Sequence, residues 1–166
     1  MKRQTYTAFS LLEVTLALGI GSICLLALVA LLPMGITSHQ TSINQTTATG
    51  IATAIIADLR ATVAANKTTT LAQSNVFHIA WPFLGSTALF LDETGQLSGE
   101  PNQDASAMLN PPPKYRAIVS FTVPGGKNAT VTRLLITWPA LADPTVASIP
   151  TNYTGSYDFA TALDVN

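Results

Sequence analysis

The ionisable side chain in the least ordinary setting is Glu13. It is the single charge in FSLLEVTLALGIGSICLLALVALL, the apolar stretch from Phe9 to Leu32. A carboxylate at membrane depth costs about 2.5–3.5 kcal/mol on insertion scales, so it is read as functional and in need of a partner. Enzyme chemistry is not expected of it, because no GxSxG, P-loop, GxGxxG or paired-carboxylate motif occurs in the chain. Ion pairing is the use that remains.

The other chemically capable residues point to less. His39 and His78 are the two histidines, and neither stands in a metal-ligand spacing. His39 falls on a polar segment just past the apolar stretch and His78 beside Ile79-Ala80-Trp81, so they read as solvated or packed. Asp92, Glu93, Glu100 and Asp104 form the one local acidic cluster. Oxygen ligands on a loop suit Ca²⁺, but this spacing matches no ligand pattern, so a solvated turn is expected, with no metal and no cofactor. Cys24 is the sole cysteine, which rules out an intrachain disulfide. Ile23 precedes it where a lipid-acceptor cysteine needs a small residue, so Cys24 reads as an inert small hydrophobe. Sequons begin at Asn44, Asn66, Asn128 and Asn152, as chance produces in a Thr-rich chain. Trp81-Pro82-Phe83 and Trp138-Pro139 are expected to pack in a core or at a sheet edge; the alternative is a subunit-contact or ligand patch.

What positions Glu13 is the stretch around it. A helix over residues 9–32 spans roughly 36 Å at ~1.5 Å per residue, enough to cross a ~30 Å hydrocarbon core with some tilt. The preceding MKRQTYTA carries Lys2 and Arg3 and no acid, which predicts the amino terminus inside and residues 34–166 outside. A secretory signal has a shorter apolar core followed by a small-residue cut site, and this run ends in Leu-Leu-Pro. An ordinary one-pass anchor explains the length but leaves Glu13 without a role. Pro33, followed by Gly35, predicts a kink or local break, or simply the end of the membrane helix.

The 166 residues carry net charge -1, 10% charged residues and a mean hydropathy of +0.35. Such a chain lacks the basic face that nucleic-acid binding needs, and its Thr- and Ala-rich surface suits an extracytoplasmic or surface-assembled protein. From Ile36 to Ala65, Ile51, Ile55, Leu59 and Val63 recur every fourth residue, flanked by Ala48, Ala52 and Ile56. That is an amphipathic helix with a narrow apolar face, Thr41, Gln45 and Thr49 pointing outward, and Asn66-Lys67-Thr68 ending it. Strands are expected at Ala88–Leu91, Tyr115–Val123 and Thr130–Trp138, with a short edge strand near Tyr157–Phe159. Asp92–Gln96 should turn with Gly95 at positive φ, and Pro124–Asn128 should close a hairpin. Residues 98–113 and 142–157 read as long loops. The fold class is therefore α+β, a long amino-terminal helix on a small antiparallel sheet. The expected parts are residues 1–8, 9–32, 33–66 and 67–166.

The segment TAFSLLEVTLALGI resembles the processing site of type IV prepilins and pseudopilins. The resemblance implies a leader of residues 1–8 cut between Ala8 and Phe9, with Phe9 then N-methylated. Ala8 departs from the family, which normally has Gly before the cut. It also implies a partner for Glu13: the new α-amino group of Phe9 on an adjoining subunit. LLPMG, LFLDETGQ and RLLITWPALAD are similar to a prepilin-type family called Verru_Chthon cassette protein B. The implied function is a pilin-like structural subunit, single-pass in the inner membrane, assembled into a type IV pilus or secretion-type pseudopilus. Its implied partners are a prepilin peptidase and other pilin-like subunits. The alternative is a single-pass membrane protein whose outer domain binds a partner and never polymerises.

Overall fold

The computed structural model describes residues 10–65, 72–82, 85–107, 110–122, 129–146 and 150–164. The chain divides into two compact units, Met1–Gln40 and Thr41–Asn166. Helix α1, Leu11–Ala65, supplies residues to both.

Within the first unit every described side chain is exposed. The helix is apolar all round, so no face of it is the one to bury. Leu11 is 84% exposed and Met34 still 69%, and α1 is long and apolar enough to cross a membrane. Its hydroxyls are turned back on its own carbonyls: Thr15 donates to Leu12 O at 2.9 Å and Ser22 to Leu18 O at 2.7 Å. This satisfies polar groups that would otherwise be stranded in an apolar medium. The expected break at Pro33 does not occur, since α1 runs through Pro33 and Gly35. Proline removes one backbone donor, and the turns on either side stay bonded. The Thr37 hydroxyl adds bonds to Pro33 O at 3.2 Å and Met34 O at 3.0 Å.

In the second unit the fourfold stripe lands as its spacing predicts. Ile51, Ile55, Leu59 and Val63 are buried with Ala48, Ala52 and Ile56, while Thr41, Gln45 and Thr49 are exposed. They pack on one face of an antiparallel meander, β3 (Ser86–Leu91), β4 (Tyr115–Thr122), β5 (Ala129–Trp138) and β6 (Gly155–Asp164), in that spatial order. Register fixes which residues face the helix. Leu89 pairs with Ala117, Ala117 with Ile136 and Ile136 with Tyr157, so period-2 alternation puts this row on the core side. A two-residue pair precedes the meander, β1 (Ala72–Gln73) with β2 (Ala80–Trp81), and adds Phe77, Ile79 and Trp81 to the same core. The Tyr115 hydroxyl donates to Asn44 Oδ1 at 3.1 Å, tying sheet to helix.

The Asp92 turn forms as expected. Asp92 Oδ1 accepts from Thr94 N, the Thr94 hydroxyl and Gln96 N, and Gly95 has φ +84°. A Cβ on Gly95 would also lie 2.9 Å from Ile51 Cγ1, so backbone angle and close approach to α1 both demand glycine there.

Several expectations need correction. β3 begins at Ser86, before Ala88, and β6 is a ten-residue strand from Gly155 to Asp164 rather than a short piece near Tyr157. Pairing with β5 from Ala129 to Trp138 holds it extended, beginning within the stretch 142–157 that reads as loop. The loop over 98–113 contains a short 3-10 turn at Ala105–Ala107. The hairpin turn at 124–128 lies outside the described residues.

Candidate functional site

Ala8 and Phe9 lie outside the described residues. Glu13 stands in the first turn of α1, and its backbone N–H donates to Ser10 O at 3.0 Å and Ser10 Oγ at 3.2 Å. Ser10 thus caps the helix, and Ser-x-x-Glu is the sequence pattern of a capping box. That pattern is legible in Ser10-Leu11-Leu12-Glu13. A carboxylate in the first turn gains about 0.3–1 kcal/mol from the helix dipole. At the centre of a membrane helix such a carboxylate costs about 2.5–3.5 kcal/mol, so at that depth the helix end would offset only part of the cost. Leu11, Leu12 and Val14 beside it are 84%, 77% and 47% exposed. The site is therefore an acid on an apolar, uncovered helix.

The other singled-out residues are dispersed. His39 is exposed on α1. His78, at φ 52°, places Nδ1 3.6 Å from a Glu100 carboxylate oxygen, both side chains being well exposed. Asp92 serves its own turn, and Asp104 accepts from Val146 N at 2.6 Å. Burial pushes the Asp92 carboxyl up, but bonds from the Thr94 hydroxyl and from backbone at Gln96, Thr94 and Gly95 outweigh it and hold the group below the usual range. Among the described residues no three His, Cys, Asp or Glu side chains gather to hold a metal ion. Trp81 and Trp138 are buried in the core, Trp138 edge-on to Tyr115 at 6.1 Å between ring centroids. Cys24 is exposed on the apolar helix. Asn44 is engaged by Tyr115, Asn152 is exposed, and Asn66, Asn128 and Phe83 lie outside the described residues.

Two polar groups are buried with no local signal of it in the sequence. Asp58 on α1 is 7% exposed, and its carboxylate accepts from Val76 N at 3.2 and 3.3 Å and from Phe77 N at 3.0 Å. It fixes the turn between β1 and β2 to the helix. Arg116 lies wholly buried on the opposite face of the sheet, stacked 5.8 Å from the Phe90 ring centroid. It donates to Asp143 O at 3.2 Å and Val146 O at 3.3 Å. Burial lowers its pKa, and the Asp143 and Asp104 carboxylates oppose that shift. Asp143 in turn accepts from Thr151 N and Asn152 N, both at 3.0 Å. The node fastens the loops that cover Phe90, Ala105 and Ala140. Arg133 and Asp158 pair across β5 and β6 with Nε 3.0 and 3.2 Å from the two carboxylate oxygens, and this bond holds the Asp158 carboxyl low despite some burial.

No protein-family model, curated protein or solved structure matches the chain.

Proposed function

We propose that this chain is a pilin-like structural subunit, inserted in the inner membrane by the apolar half of α1 and assembled through it into a type IV pilus or pseudopilus. The amino terminus faces the cytoplasm and the sheet domain lies outside. A prepilin peptidase removes residues 1–8, and Glu13 pairs with the Phe9 amine of a neighbouring subunit. The observation that carries this reading is Glu13 itself: one acid on an exposed apolar helix, with more desolvation cost than its helix end offsets. A carboxylate and an ammonium attract far more strongly in a low-dielectric bundle than in water, and either one alone is costly there, so the pair selects one axial register. Between Val14 and Ala57 no Asp, Glu, Lys or Arg occurs, which suits a helix that packs against copies of itself.

A second reading draws on the Ser10–Glu13 contact. A first-turn acid at the membrane interface is explained by capping alone, and the chain is then a one-pass anchor for an outer binding domain. Mass spectrometry of the purified chain and a Glu13→Ala variant separate the two. The subunit reading expects a mature chain beginning at N-methylated Phe9, and a variant that inserts but fails to enter filaments. A chain retaining Met1, with insertion and assembly indifferent to Glu13→Ala, refutes it.

A further inference from the structure

The two edges of the four-stranded sheet are treated differently. On β3, Ser98 N donates to Phe90 O at 2.9 Å and Asn102 N to Ala88 O at 2.8 Å, while Ala88 N donates to Asn102 Oδ1 at 2.9 Å. That edge is closed by its own loop. β6 pairs with β5 over its full length, from Trp138↔Gly155 to Ala129↔Asp164, and no described strand lies on its other side. It contains no proline and no lysine, its register has no bulge, and the Asp158 carboxylate on it is engaged by Arg133 of β5. Along it, Tyr157 and Phe159 stack at 6.5 Å between centroids and 10° between planes, with Phe159 38% exposed. These rings and Ala52, Ile56 and Ala57 of α1 wall a groove of about 220 Å³ that Arg60 borders. Arg60 is exposed, its guanidinium reaches only the Thr161 hydroxyl at 3.5 Å, and among the described residues it has no acidic partner.

We infer that the β6 edge is a strand-addition site for an extended segment of a different polypeptide, apolar at alternate positions and carrying a carboxylate where it passes Arg60. Unpaired edge N–H and C=O groups supply main-chain bonds, and side-chain pockets at every second residue supply selectivity. The Tyr157–Phe159 groove is such a pocket, and Arg60 sets the charge it accepts. A second copy can meet this edge only β6 to β6, because β3 is closed, and self-association through Phe159 is then the competing outcome.

The test uses the full chain in detergent micelles and a fluorescein-labelled seven-residue probe of alternating Val and Thr with one Glu, read by anisotropy. Saturable binding is expected, about fivefold weaker for the same probe with Lys in place of Glu, the size of one exposed ion pair. Arg60→Glu should reverse that preference, and Phe159→Lys should abolish binding of both probes. Glu13→Ala should leave binding unchanged, which separates failure here from failure of the filament reading. No saturable binding, a preference that survives Arg60→Glu, or dimerisation of the wild-type chain that Phe159→Lys abolishes would overturn the inference. Should Phe159→Lys fail to fold, as near-ultraviolet circular dichroism would show, the Arg60→Glu comparison decides.

Discussion

Asp58→Ala should be among the most costly single substitutions in the outer unit. The carboxylate is 7% exposed and accepts two backbone N–H groups from the turn between β1 and β2. Hydrogen bonds to a charged group contribute about 1.5–3 kcal/mol each, and a stranded buried donor costs about 1–3 kcal/mol. The two donors differ. Val76 is 61% exposed, so water can take its N–H, whereas Phe77 is 3% exposed and its N–H would be left without a partner. The loss should therefore approach one full bond and not two, about 2–3 kcal/mol. Asp58→Asn keeps one acceptor oxygen and should cost about 1 kcal/mol. Urea unfolding of the full chain in micelles, followed by tryptophan fluorescence, is a direct assay, because Trp81 follows the clamped turn. At a slope of about 2 kcal/mol per molar urea, Asp58→Ala should lower the midpoint by about 1–1.5 M with the slope unchanged. A fall of less than roughly 0.3 M would show that the clamp does not hold the turn, and an Asp58→Asn variant as stable as wild type would show that charge is irrelevant to it.

Gly155→Ala places a methyl group against the Trp138 ring, which is itself buried, so the ring must shift. A loss of about 1–3 kcal/mol is expected in the same urea assay, together with a changed near-ultraviolet spectrum. Arg116→Met and Arg116→Ala both leave the Asp143 and Val146 carbonyls without the guanidinium, but Met fills the space over Phe90 where Ala leaves a cavity, so Arg116→Ala should be less stable than Arg116→Met by about 2 kcal/mol or more. The folded-state carboxyl pKa values of Asp92 and Asp158 lie below their unfolded values, so their contribution is present above the ordinary carboxylate range and is lost as pH falls through the depressed folded values. Both groups are largely solvated and screened, so thermal melts from pH 7 to pH 3 should show a small loss, diminished further in Asp92→Asn.

The sequence alone determined the elements whose signal is local. An unbroken apolar run makes a helix long enough for a membrane whatever surrounds it, and a stripe every four residues from Ile51 to Val63 has one face to bury. Asp92 and Gly95 set their turn through bonds and backbone angles contained within five residues. Tertiary structure decided what depends on a distant partner. β6 is ten residues long because β5 offers it a ladder, and its own composition carries no such message. Asp58 and Arg116 carry no local sign of burial, and it is folding that brings Phe77, Asp143 and Val146 against them. A buried charge is tolerated only when its partners arrive from elsewhere in the chain, and linear spacing does not record which partners those are.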